Sequence, residues 1–166
     1  MEKPSRQHSR LGRLRWDAGH NSWRGEVKLT DGYPIRVSIH SYVDWEDDAQ
    51  INLAAKGIAW ACKAELRIRE LVADGLLDLY NREWADEDPE VGMSPMNRDE
   101  FLRSIRLTEI ELNSEGRMHW EYSCGNMFGG QVIWLGFGSD RELSSGPSVV
   151  KKYEEEDESE DESEED

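Results

Sequence analysis

The chain has two cysteines, five prolines and no long apolar run in 166 residues, and each scarcity removes a class of protein. Cys62 and Cys124 are too few for a disulfide framework, so an ordinary hydrophobic core must hold the fold and a reducing compartment suits both thiols. No segment approaches the roughly 18–20 consecutive apolar residues of a membrane helix, and the N-terminus lacks the apolar stretch of a signal peptide. A cytoplasmic protein with no membrane association is the expectation. Metal-ligand spacing is missing as well: His8, His20, His40 and His119 are dispersed, and neither CxxC nor HxxxH occurs. No metal or cofactor is expected.

Basic charge is also scarce. Against 36 Asp plus Glu there are 20 Lys plus Arg, for a formal net charge of -16. Eleven of the carboxylates lie in Glu154–Asp166, and the body without them has 20 basic against 25 acidic residues. The one concentrated basic segment is terminal and short, with Lys3, Arg6, Arg10, Arg13 and Arg15 against Glu2. A nucleic-acid binder needs a basic footprint broad enough to displace phosphate counterions, so direct nucleic-acid binding is not expected. A basic protein partner is the expectation instead.

What is present is patterning of two periods. Leu14 and Trp16 alternate with Arg13 and Arg15, then Trp23, Gly25, Val27 and Leu29 with Arg24, Glu26 and Lys28, then Ile35, Val37 and Ile39 with Arg36, Ser38 and His40. Period two marks half-buried strands, and Asp31-Gly32 supplies a two-residue turn between the last two. At the carboxylate cluster Asp44-Trp-Glu-Asp-Asp48 the pattern changes. Ile51, Ala55, Ile58, Cys62 and Leu66, widened by Trp60, Ala64 and Ile68, form a helical stripe. Asp74-Gly75 reads as a break before a second helical segment that carries Leu76 to Trp84, and Asn97 as the cap of a short helix over 98–104. Leu107–Leu112, Met118–Cys124 and Gln131–Phe137 return to strand, the last apolar on both faces. The expected fold is α+β: a mostly antiparallel sheet of about six strands in β3-α-β3 order, with two or three helices packed on one face. The expected organisation is a flexible basic arm over 1–10, a single domain over 11–145 and a disordered acidic tail over 146–166, which has too little apolar surface to offset the entropy of ordering.

No catalytic constellation assembles from the sequence, and an enzyme is not expected. Cys124 shares a strand face with Trp120 and Tyr122 and Cys62 lies on the helical stripe, so both read as core thiols rather than nucleophiles. Gly125-Asn-Met-Phe-Gly-Gly130 precedes a strand and has no nearby Lys, which makes it a connection rather than a phosphate cradle. Binding has a better candidate. Trp45, Trp84 and Trp134 fall at element boundaries or on an open strand side, and Glu46, Asp47, Asp48, Asp86, Glu87 and Asp88 flank the first two. Aromatic anchors dominate interface energies and charge speeds encounter, so these residues are the candidate partner-binding set.

Leu11-Gly-Arg-Leu-Arg-Trp-Asp17, Trp23-Arg-Gly-Glu-Val-Lys-Leu29, Ile110-Glu-Leu-Asn113 and Met127-Phe-Gly-Gly-Gln-Val-Ile133 together resemble a group of small bacterial domains of unknown function often found among immunity proteins. Such domains carry a Trp-x-Gly-x-Val second strand, and they often have His where this chain has Gln131. The resemblance covers residues 11 to 140 and leaves out the acidic tail. It implies an inhibitor, encoded beside a secreted toxin, that occludes a basic toxin or nuclease. An acidic nucleic-acid mimic directed at a host defence enzyme, and a small enzyme or ligand-sensing domain, are the alternatives.

Overall fold

The computed structural model describes residues 4–29, 32–41, 48–88, 90 and 92–152. They form one eight-stranded sheet whose strands lie side by side in chain order: β1 (Ser5–His8), β2 (Gly12–Asp17), β3 (Ser22–Lys28), β4 (Pro34–His40), β5 (Arg106–Leu112), β6 (Met118–Ser123), β7 (Val132–Phe137) and β8 (Leu143–Val150). Two four-stranded antiparallel meanders meet at β4 and β5, which pair in parallel, Val37 opposite Ile110. Parallel neighbours need a long crossover, and α1 (Asp48–Glu83) with α2 (Arg98–Ser104) supplies it.

The alternating pattern places one apolar face against α1. Val37, Ile110, Trp120 and Leu135 form one cross-strand row, and Trp23, Ile39, Leu112, Met118 and Phe137 the next. Trp60 of α1 packs edge-on to Trp120 and Phe137 at 5.6 and 5.4 Å. At Gly57 an added Cβ would stand 2.7 Å from Leu112 Cδ2, so the helix lies almost directly on the sheet there. One charge is carried into this layer. Glu65 is buried, paired with Arg69 at 2.7 Å, and accepts from the Tyr122 hydroxyl at 3.5 Å. Burial, reinforced by the Glu65 charge, holds the Tyr122 phenol well above its usual range.

The expected architecture is corrected in several respects. Among the described residues there are eight strands rather than about six, and the sheet, expected to be mostly antiparallel, is mixed, with the one parallel pairing at its centre between β4 and β5. Ser5–His8, expected inside a basic arm, pair with β2, and Leu143–Val150 add to β7. Both are edge strands. They are held by backbone bonds on one side, need no apolar period, and in β8 tolerate Pro147. The described residues hold two helices, within the expected number, but they do not form a layer together on one face: α1 runs along the sheet, whereas α2 packs on the end of α1 through Phe101 and Tyr80, 6.3 Å apart. Nor does α1 break at Asp74-Gly75. A Cβ on Gly75 would sit 2.8 Å from Pro147 Cγ, so this glycine permits close approach of helix and edge strand. Leu66, expected on the buried stripe, is 72% exposed. Steps of four residues from Ile58 through Cys62 to Leu66 advance about 40° per step beyond a full turn, whereas Ala61, Glu65, Ile68 and Val72 keep to the 3.6 period and are buried.

Candidate functional site

The C-terminal end of α1 gathers four of the nine residues expected to bind a partner, Trp84, Asp86, Glu87 and Asp88. Its last turns are clamped to the following loop: Tyr80 OH donates to Ser94 O at 3.0 Å, Asn81 Nδ2 donates to Met96 O, and Met96 N donates back to Asn81 Oδ1, both at 2.8 Å. Beyond the helix, Asp86 N donates to Met93 O, Asp88 N to Asp86 Oδ1 and Glu90 N to Asp88 Oδ1. These aspartates fold their own loop, as short polar side chains do in Asx turns. The Asn97–Glu100 capping box then starts α2.

Trp84 stands at the centre of this end, 40% exposed. Its ring is not loose. It meets Phe128 edge-on at 5.7 Å, Phe128 meets Tyr80 at 5.6 Å, and the Trp84 ring lies over Gly129, where a Cβ would come within 3.3 Å. The Gly-rich connection between β6 and β7 is therefore the seat of the tryptophan. Three of its amides are engaged in consecutive turns, Met127 N to Cys124 O, Gly129 N to Asn126 O and Gln131 N to Phe128 O. Alongside, Met93, Pro95, Met96, Glu100, Arg103 and Ser104 line a shallow groove of about 500 Å³. Over residues 66–104 ten carboxylates accompany five arginines. An aromatic platform, a methionine-lined groove and fixed carboxylates suit a basic protein surface with an apolar anchor.

The other expected binding residues do not join this set. Trp45, Glu46 and Asp47 lie outside the described residues. Asp48 opens α1 and pairs with Arg6, whose guanidinium also covers the Trp23 ring. At 1.5 Å per residue it is about 50 Å from the Trp84 end, too far for one interface of standard size to include both. Trp134 faces the open side of the sheet, with the His119 ring 4.5 Å from its own. Sequence reading passed over Met93, Met96 and Phe128. The methionines sit in an aperiodic loop, and Phe128 gives no signal until β6 and β7 bring their connection beneath α1.

For chemistry the arrangement offers little. On the open face His119 stands near Glu111, at 4.0 Å, and near His40. Burial beneath Trp134 pulls the His119 pKa down, Glu111 opposes that, and His40 adds to it. Cys124 is elsewhere, buried at the Gly-rich connection with Sγ 3.0 Å from Gln131 O, and burial raises its pKa. Burial raises the Cys62 pKa likewise, so neither thiol is poised as a thiolate. Among the described residues no group of three or more His, Cys, Asp or Glu could hold a metal ion, and no helix is long and apolar enough to cross a membrane.

A family model of uncharacterized proteins conserved in bacteria, DUF2262, matches residues 8–146. The chain belongs to that family. The match takes in the end of β1, both helices and the Trp84 platform, and it stops inside β8 before the acidic tail. No curated protein and no solved structure matches the chain.

Proposed function

We propose that this member of DUF2262 is a protein-binding module of the immunity type, which occludes a basic toxin or nuclease in the cytoplasm of the bacterium that makes it. The observation that carries this reading is Trp84: a half-exposed indole, braced from beneath by Phe128 and Tyr80, beside the Asp86–Asp88 loop and the groove of Met93 and Met96. A large side chain exposed and yet held in one geometry loses little entropy on binding, which is the property of an interface anchor. The carboxylates around it supply encounter rate and discrimination against acidic surfaces.

The partner to test first is the product of the neighbouring gene, in a pull-down with the full chain. Trp84→Ala is expected to weaken that complex at least tenfold, chiefly through faster dissociation. Glu87→Lys with Glu90→Lys leaves the Asp86 and Asp88 turns intact and is expected to slow association and reduce its salt dependence. A complex that forms unchanged with both variants would refute this surface as the site, and failure to capture the neighbouring product would remove the immunity role.

A further inference from the structure

One rim of the sheet is basic, and the register shows how it is assembled. Arg106 pairs with Ser123, Ser123 with Val132 and Val132 with Val150, while Lys28 pairs with Pro34 and the β4–β5 register, Arg36 opposite Glu109, sets that pair about one residue from the Arg106 row, so the last residue of β3, the first of β5 and the end of β8 lie at one end of the sheet. Arg13 is the second residue of β2, near the same end, and Lys151 and Lys152 follow β8. Arg13, Lys28, Arg106, Lys151 and Lys152 are all exposed, and none forms an ion pair among the described residues. Elsewhere Arg6, Arg24, Arg36, Arg69, Arg82, Arg98 and Arg117 each pair with a carboxylate, and the other exposed cations without an ion pair among the described residues, Arg10, Arg15, Lys56, Lys63, Arg67 and Arg103, are spread over the first hairpin and the two helices. Arg106 is instead laid over the Tyr33 ring, 4.8 Å from its centre, which fixes its position without neutralising it.

We propose that the acidic tail of this same chain, Glu154–Asp166, docks along that rim. It carries eleven carboxylates and no basic residue, and it leaves the sheet where the rim begins, one residue beyond Lys151-Lys152 and Tyr153. Reach is sufficient. From β8 to β3 is five strand spacings, about 24 Å, whereas thirteen residues extend to about 43 Å. Tethering places the tail at millimolar effective concentration, so weak individual contacts suffice. Charge also selects the route: the α1 side of this end holds Asp86, Glu87 and Asp88 and repels the tail, whereas on the sheet side the cations stand at the rim and the carboxylates Glu26, Glu109 and Glu121 lie two or three residues further in along the strands. The docked tail keeps the rim from recruiting nucleic acid or other polyanions, and a cationic partner competes with the rim for it. The proposal does not depend on Trp84 being a binding site.

The test compares amide spectra of the isotope-labelled full chain with those of a full chain whose eleven tail carboxylates are replaced by Gln and Asn. Signals of residues around Arg13, Lys28, Arg106 and Ser123 are expected to differ, the difference to vanish in molar salt, and its size to be independent of protein concentration. Lys28→Gln with Arg106→Gln, both at exposed sites, is expected to abolish the difference at those same residues. Differences confined to residues from Lys151 onward overturn the proposal, and differences that fade on dilution overturn it in favour of contacts between copies.

Discussion

The two faces of this sheet are made by alternate residues of the same strands, yet they are held by different forces. Facing α1, the row Val37, Ile110, Trp120 and Leu135 is dry, with every member at most 1% exposed. One residue along, the opposite face carries Glu26, Arg36, Glu109, Glu121 and Trp134 in register, with Arg36 and Glu109 2.8 Å apart. Burial returns about 25 cal/mol per Å² of apolar area on the first face. A partly exposed ion pair returns about 0–1 kcal/mol on the second. The contrast separates stability from recognition: the inner face fixes the fold, and the open face, the rim and the α1 end are free to be altered without losing it.

Two substitutions press hardest on that separation. Trp120→Ala on the inner face is expected to cost about 3–5 kcal/mol in urea unfolding, because the ring touches Trp60, Tyr122 and Phe137 and the space it leaves is walled by helix and sheet. Trp134→Ala on the outer face is expected to cost less than about 1 kcal/mol. Equal losses would break the comparison. Next in size is Glu65→Ala, which takes the buried carboxylate from Arg69 and Tyr122. A fully buried pair would lose about 3–5 kcal/mol, and the remaining solvent contact of Arg69 reduces this to about 2–3 kcal/mol. Gly57→Ala sharpens the point about close approach. Helix propensity favours Ala by about 1 kcal/mol, but crowding against Leu112 and Met118 costs about 1–3 kcal/mol, so a net loss of about 0–2 kcal/mol is expected.

How much of this was legible depended on whether a residue's role was local. The six inner strands were readable because Trp23 to Val27, Ile35 to Ile39 and Met118 to Tyr122 alternate strictly, and one buried face demands that alternation. The cap at Asn97 was readable because a capping box is contained within four residues. β1 and β8 were not, since an edge strand is specified by its neighbour's free backbone groups rather than by its own side chains. Gly75 misled for a related reason. A glycine that makes room for Pro147 has the same local signature as one that ends a helix. At the candidate site the acidic loop and Trp84 were visible, but the brace beneath the ring depends on Phe128, more than forty residues away in sequence, and only the closed sheet brings the two together.

The smallest expected effect lies on the open face, in the proton equilibrium of His119. Its ring is covered by Trp134 and faces Glu111 and His40; burial lowers its pKa below 6.5, with Glu111 opposing and His40 assisting. The folded chain therefore binds fewer protons at His119 than the unfolded chain does as pH falls through that value. Stability rises with pH wherever the unfolded state holds more protons, so this contribution is complete above pH 6.5 and is lost as pH falls toward the lowered pKa. His119→Gln is expected to flatten that part of a curve of unfolding midpoint against pH. Trp134→Ala is expected to uncover the imidazole and move its pKa, followed by NMR titration, upward toward the ordinary value. If the pKa stays low without Trp134, the depression comes from His40 across the strands rather than from the covering ring, and double replacement with His40→Gln would then restore it.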